Sequence, residues 1–334
     1  MNKASLVASV VALLSATAAS ATDIKFALDW KFEGPAAPYL MAMDRGYYEE
    51  EGLNVSIDTG SGSLEAIPRV GSGTYQLGFA DINSLIKFRD QDSDVPVQAI
   101  MMVYDAPPFA IVGRKSLGVM EPADLEGKTL GAPATDGAFA QWPAFVEANN
   151  LDASQVTIEN VGFPVREPML AQGDVDAITG FSFSSYINLK SKGVDADDIS
   201  VMLMSDYGLK LYGNAIIVNP TFAEENPEAV TAFLRATIRG WRDTIADPEA
   251  AVGYVMAHNS IARKEVELER LIMSIDDNIL TDAVIANGMG DIDPERMREA
   301  IDQIGIAYSF NNKPEVDDIF TDAYLPSAEE RMLQ

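Results

Sequence analysis

The sequence predicts an α/β protein of two lobes, with the second inserted into the first. Three observations carry this. Short apolar runs alternate with amphipathic helical segments from residue 24 onward, and the same strand–loop–helix pattern restarts after Pro122. A length of 334 residues at 47% hydrophobic content is enough for about two well-buried domains. Repeated strand–loop–helix units imply right-handed crossovers and mostly parallel sheets covered on both faces.

The elements follow in order. Residues 1–21 combine Lys3, an apolar run from Leu6 to Leu14 and a small-residue tract ending Ala19-Ser20-Ala21. That is the pattern of an export leader cut after Ala21, and its apolar run is too short for the roughly 20 residues a membrane-spanning helix needs. Strands are expected over 24–29, 53–58 and 76–80, with helices over 35–48, 64–70 and 82–88 between and after them. Apolar strands over 97–103 and 109–112 flank the Asp105-Ala106-Pro107-Pro108 turn. The restart gives strands over 129–132, 156–160, 177–179 and 200–204, with helices near 139–148, 166–171 and 184–190. A strand over 214–218 leads into a helical last third, over 227–244, 248–258, 266–276 and 294–304. The first lobe is therefore expected over 22–112 plus 214–334 and the second over 113–213. Two hinge crossings would lie near 112–115 and 212–215. Ligands in open α/β sheets sit beyond the carboxyl ends of the strands, so two such ends facing each other make a cleft.

Composition removes many functions. Lys plus Arg number 24 against 51 for Asp plus Glu, a net charge of -27 that repels nucleic acid and anionic lipid. No cysteine is present, which excludes disulfides, thiolate nucleophiles and zinc–cysteine sites. The one histidine, His258, supports neither a histidine-based triad nor a multi-histidine metal site. No cofactor and no metal are expected.

Four segments, in order, carry a resemblance: AMDRGYYEEEGLNV at 42–55, EAIPRVGSGTYQLGFAD at 65–81, DLEGKTLG at 124–131 and LAQGDVDA at 170–177. Together they resemble the substrate-binding proteins of ABC transporters, in the branch for thiamine pyrimidine precursors, alkanesulfonates, taurine and nitrate. The resemblance implies a bilobal periplasmic-binding-protein fold (type II-like). It further implies a periplasmic location, a monomer, a small-molecule ligand, an ABC permease in the inner membrane as partner, and no enzymatic activity. In that family the positions of Trp30, of the third strand's end and of the loops at 135–137 and 180–181 commonly line the cleft.

Strand ends and helix starts name the candidate ligand residues: Asp29 and Trp30, Ser63, Asp81 and Asn83, and Tyr104 from the first lobe. The second lobe adds Thr135, Asp136, Glu167, Gly180, Phe181 and Tyr186. The aromatic residues can stack on a flat ring and the acids can accept hydrogen bonds from amino groups. Two ligand classes stay open. Carboxylates and aromatics favour a nitrogen heterocycle, whereas Lys31, Arg114 and Arg166 are the basic residues near a cleft position that an anion would need. An exported carboxylate enzyme would require Asp81 and Glu167 to face each other as acid and base.

Overall fold

The computed structural model describes residues 21–92 and 94–333, so the leader expected over 1–21 lies, apart from Ala21, outside the described residues. The chain enters at β1 (Thr22–Ala27) and passes through α1 (Ala37–Asp44) and α2 (Tyr47–Glu50) to β2 (Leu53–Asp58). The helix expected over 35–48 is broken at Gly46, whose φ of 75° is left-handed and ends a helical turn. Next come α3 (Ser63–Gly71), β3 (Leu77–Asp81), α4 (Ile82–Gln91) and β4 (Gln98–Met102). The second half opens with β5 (Phe109–Arg114), β6 (Thr129–Ala132), α5 (Trp142–Ala148), β7 (Thr157–Asn160) and α6 (Phe163–Gln172). It continues through β8 (Ala177–Phe181), α7 (Ser182–Ser191) and β9 (Ile199–Leu203).

Two five-stranded sheets result, ordered β2-β1-β3-β10-β4, where β10 is Asn214–Val218, and β7-β6-β8-β5-β9. In the first sheet β1 runs parallel to β2 and β3, while β10 is antiparallel to both its neighbours. In the second, β6 is parallel to β7 and β8, and β5 is antiparallel to both its neighbours. The antiparallel strand in each case is the one that has just crossed between lobes. It enters from the cleft side, where the other strands end, so it must run the opposite way.

This corrects the expected division. Residues 109–112, expected in the first lobe, belong to the second, because β5 pairs with β8 and β9. The first crossing is therefore the segment 103–108 rather than 112–115. Pro107 and Pro108 supply no N–H to a ladder, so what reads as a hairpin turn in sequence ends one sheet and begins another. The second crossing, over 204–213, runs beside it: Tyr104 N–H donates to Asn214 O (2.9 Å) and Gly213 N–H to Tyr104 O (2.9 Å).

The helical last third is α8 (Pro220–Glu225), α9 (Pro227–Ala246), α10 (Pro248–His258), α11 (Lys264–Ser274), α12 (Asp282–Asn287), α13 (Pro294–Ala307) and α14 (Val316–Ile319). The core of the first lobe gathers around α9, where Phe233 stacks on Tyr48 (centroids 5.0 Å) and Trp241 is fully buried. Not all of this third keeps to the first lobe. Met297, Ile301 and Ile304 of α13 share one buried cluster with Leu85 of α4 and with Trp142 and Phe145 of α5.

Candidate ligand-binding cleft

The carboxyl ends of β1 and β3 in one lobe face the loop after β6 and the start of α6 in the other. Between them lies a cavity lined by residues of both lobes. Its back wall is aromatic and continuous across both lobes. Tyr39 meets Phe79 (5.7 Å), Phe79 meets Tyr104 (5.4 Å), Tyr104 meets Phe183 (5.9 Å), and Phe183 meets Phe181 (5.9 Å). At the mouth, Trp30 packs edge-on against Phe163 of the opposite lobe (5.0 Å), and its indole N–H donates to Glu33 (3.2 Å). The buried Tyr39 hydroxyl has no hydrogen-bond partner among the described residues.

Polar groups come from both sides. Asp29, almost fully buried, accepts on Oδ2 from Ser63 Oγ (2.9 Å) and Asn214 Nδ2 (2.7 Å). Burial pushes its carboxyl up to about 6, against the lowering effect of those two donors and with help from the nearby Asp81 charge. Burial also raises Glu33, opposed mainly by Arg270. In the second lobe Arg166 donates from Nε and Nη2 to Glu167 Oε1 (3.0 and 2.6 Å), and its Nη1 lies 3.7 Å from Asp136 Oδ2. Asp136 is also raised by burial, which outweighs the lowering by Arg166 and by the Thr179 hydroxyl (2.7 Å).

A family model described as NMT1/THI5 like matches residues 35–251. The chain belongs to the NMT1/THI5-like family. A riboflavin-binding protein of Chloroflexus aurantiacus is 28% identical over 217 residues, 64% of this chain; the chain spans only 60% of that relative's length. A formylaminopyrimidine-binding protein of Halalkalibacterium halodurans is 28% identical over 283 residues, 80% of this chain and 83% of that one. A 4-amino-5-hydroxymethyl-2-methylpyrimidine phosphate synthase of Aspergillus parasiticus is 27% identical over 242 residues, 70% and 69% of the two chains. Among solved structures, the alkanesulfonate-binding protein SsuA of Xanthomonas axonopodis pv. citri, bound to MOPS, superposes with a TM-score of 0.68 at 13% identity, over 93% of this chain and all of that one. The fold is thus the bilobal periplasmic-binding-protein fold expected from the sequence.

In this NMT1/THI5-like chain, Asp29, Trp30, Ser63, Tyr104, Thr135, Asp136 and Phe181 all reach the cavity wall. Five other candidates do not. Asp81 is fully buried as the N-cap of α4, with Oδ1 taken by Asn83 N–H (3.0 Å) and Asn83 Nδ2 (2.7 Å), and Oδ2 by Ser84 N–H (2.9 Å) and Oγ (2.7 Å). The Asn83 amide nitrogen is spent on Asp81 and on Tyr212 O (2.7 Å), and its side chain is fully buried away from the wall. Glu167 lies behind Arg166 rather than opposite Asp81, so the pair a carboxylate enzyme would need is not assembled. Gly180 forms the floor beneath Arg166: a Cβ there would lie 3.1 Å from the guanidinium carbon. Tyr186 sits on α7 under Lys190 (5.3 Å), away from the wall. Of the basic residues, Lys31 and Arg166 line the cavity, whereas Arg114 pairs with Asp198 (2.8 Å). Glu33, Tyr39 and Phe79 reach the wall without having been singled out as site residues, and Phe183, from the candidate stretch 180–186, reaches it too. Phe79 carried a usable signal, being two positions before the strand end and so on the same face as Asp81.

Proposed function

We propose that this protein is the extracytoplasmic ligand-binding component of an ABC importer, closing its two lobes around a flat nitrogen heterocycle such as a thiamine pyrimidine precursor. The observation that carries the reading is the balance of charge inside an aromatic-walled cleft. Three carboxyl groups, Asp29, Glu33 and Asp136, share the wall with two cations, Lys31 and Arg166. Arg166 is bound to Glu167, and Lys31 lies over the Trp30 ring (5.1 Å). Stacking surfaces and acceptors suit a ring with amino groups, and among the described residues the wall carries more carboxyl groups than cations, which disfavours a sulfonate or nitrate. The relatives whose names specify a formylaminopyrimidine and riboflavin, both nitrogen heterocycles, support the same class.

The leader-like residues 1–21 support export; in this reading the leader is cut after Ala21 and the protein delivers its ligand as a periplasmic monomer to a permease in the inner membrane. The chain releases its ligand unchanged. It lacks the cysteine cluster seen in some eukaryotic thiamine-pyrimidine relatives, and Asp81 and Glu167 are each tied up within their own lobe, Asp81 as a helix cap and Glu167 on Arg166. A thermal-shift series tests this reading. An aminopyrimidine at a hundredfold excess over Kd should stabilise the fold by about 2.7 kcal/mol, while taurine and nitrate leave the melting temperature in place. Stabilisation by the anions alone would reverse the ligand class.

A further inference from the structure

The following inference rests on the importer reading and concerns the part of the guest that faces the second lobe. Arg166 is only 3% exposed, yet it forms part of the cavity wall. Two of its three nitrogens are spent on a single oxygen of Glu167. Nη1 makes no hydrogen bond among the described residues, and its nearest acid, Asp136, is at 3.7 Å. The guanidinium is fixed from several sides. Ser185 Oγ donates to the same Glu167 oxygen (3.2 Å), and the Phe163 ring lies 5.4 Å from Cζ. Gly180 lets the group lie against β8, since a Cβ there would sit 3.1 Å from both Cζ and Nη1. An arginine held in this way is a directional donor with three unused N–H groups, two of them on Nη1.

We propose that Arg166 is the specificity-determining residue of the second lobe, donating from Nη1 to a neutral oxo group of the ligand, an amide or ring-lactam carbonyl. The partner group is neutral because the single positive charge of Arg166 is already met by Glu167. A sulfonate or phosphate at the same place would stand beside Glu167 and Asp136. The opposite end of the guest is served by Asp29, whose two side-chain donors both go to Oδ2 and leave Oδ1 for an amino group. The ligand class is therefore a flat heterocycle with an amino edge for the first lobe and a carbonyl for the second. A guest with both groups ties the lobes together, and one with the amino edge alone leaves a buried donor unpaired.

Calorimetric titration with two probes tests this: an aminopyrimidine bearing a formamide side arm, and the same ring with the free amine. The wild-type protein should bind the formamide at least tenfold more tightly. In Arg166→Met/Glu167→Gln, which removes the donor and its counter-charge together, the ratio should fall below about threefold while affinity for the amine holds. Gly180→Ala drives its Cβ first into Ser185 Oγ, which donates to Glu167, and then against the guanidinium (3.1 Å), displacing this cluster without changing any charge, and it should lower the same ratio if the double variant does not fold. A ratio that survives in a folded variant overturns the role of Arg166. Equal binding of both probes by the wild-type protein overturns it too, and leaves the importer reading standing. Failure of both probes to bind the wild-type protein removes both.

Discussion

At Asp29, burial and function pull in opposite directions. Its carboxyl is raised to about 6 in the folded chain, above the ordinary 3.8, so the folded state holds its proton more tightly than the unfolded chain does. Stability contributed by this group is present below about pH 3.8 and is withdrawn as pH rises to about 6. Ligand binding should run the other way, because an amino group needs the carboxylate as acceptor. Affinity for an aminopyrimidine should weaken by up to tenfold per unit as pH falls below about 6, and Asp29→Asn should flatten that profile. An unchanged profile in Asp29→Asn would remove the residue from recognition. Trp30 closes the mouth against Phe163, and Trp30→Ala should weaken binding at least tenfold, about 1.4 kcal/mol, with the melting temperature of the unliganded protein little changed. Equal Kd values by calorimetry would assign Trp30 to packing alone. Both residues were legible in the sequence because they follow the first strand directly. Asp81 has the same position after the third strand and proved to be a cap, since sequence gives the place of a carboxylate but not the direction in which its oxygens point. Glu33 was not legible because its place depends on a turn at Lys31–Glu33 that no periodicity marks.

At the scale of elements, Asp81 shows what a strand-to-helix junction demands. Its four hydrogen bonds fasten the first turn of α4, and Ser63 Oγ in turn accepts from Asp81 N–H (2.9 Å). Asp81→Ala should cost about 2 kcal/mol of stability, at the upper end for a lost cap, because the junction is fully buried. Urea denaturation measures this; a loss below about 0.5 kcal/mol would mean that water replaces the cap without penalty. Strand identities were the most legible elements: the expected strands over 53–58, 129–132 and 214–218 match β2, β6 and β10 residue for residue. The sheet to which a strand belongs was less legible. β4 and β5 are equally apolar and only six residues apart, and nothing local distinguishes a hairpin from a crossing. The short helices α8, α12 and α14 escaped because four to six residues give too little periodicity to read.

At the scale of the whole molecule, the two crossings are strapped by the helical last third. Arg296 of α13 donates through Nη2 to Asp105 O and Leu211 O (both 2.6 Å), one carbonyl in each crossing, while its guanidinium lies over the Tyr212 ring (3.8 Å). Arg296 is not on the cavity wall. Arg296→Ala should therefore loosen the hinge, enlarge the unliganded radius of gyration in X-ray scattering and weaken ligand binding in proportion to the lost closed population. Unchanged scattering and affinity would show that the strap does not set lobe opening. The most direct test of the clamp itself is native mass spectrometry of the protein, before and after denaturation, following incubation with an aminopyrimidine carrying a carbonyl. The expected result is one guest per chain, released with its mass unaltered. A chemically converted guest, or no bound guest at saturating concentration, would contradict a two-lobed carrier of nitrogen heterocycles.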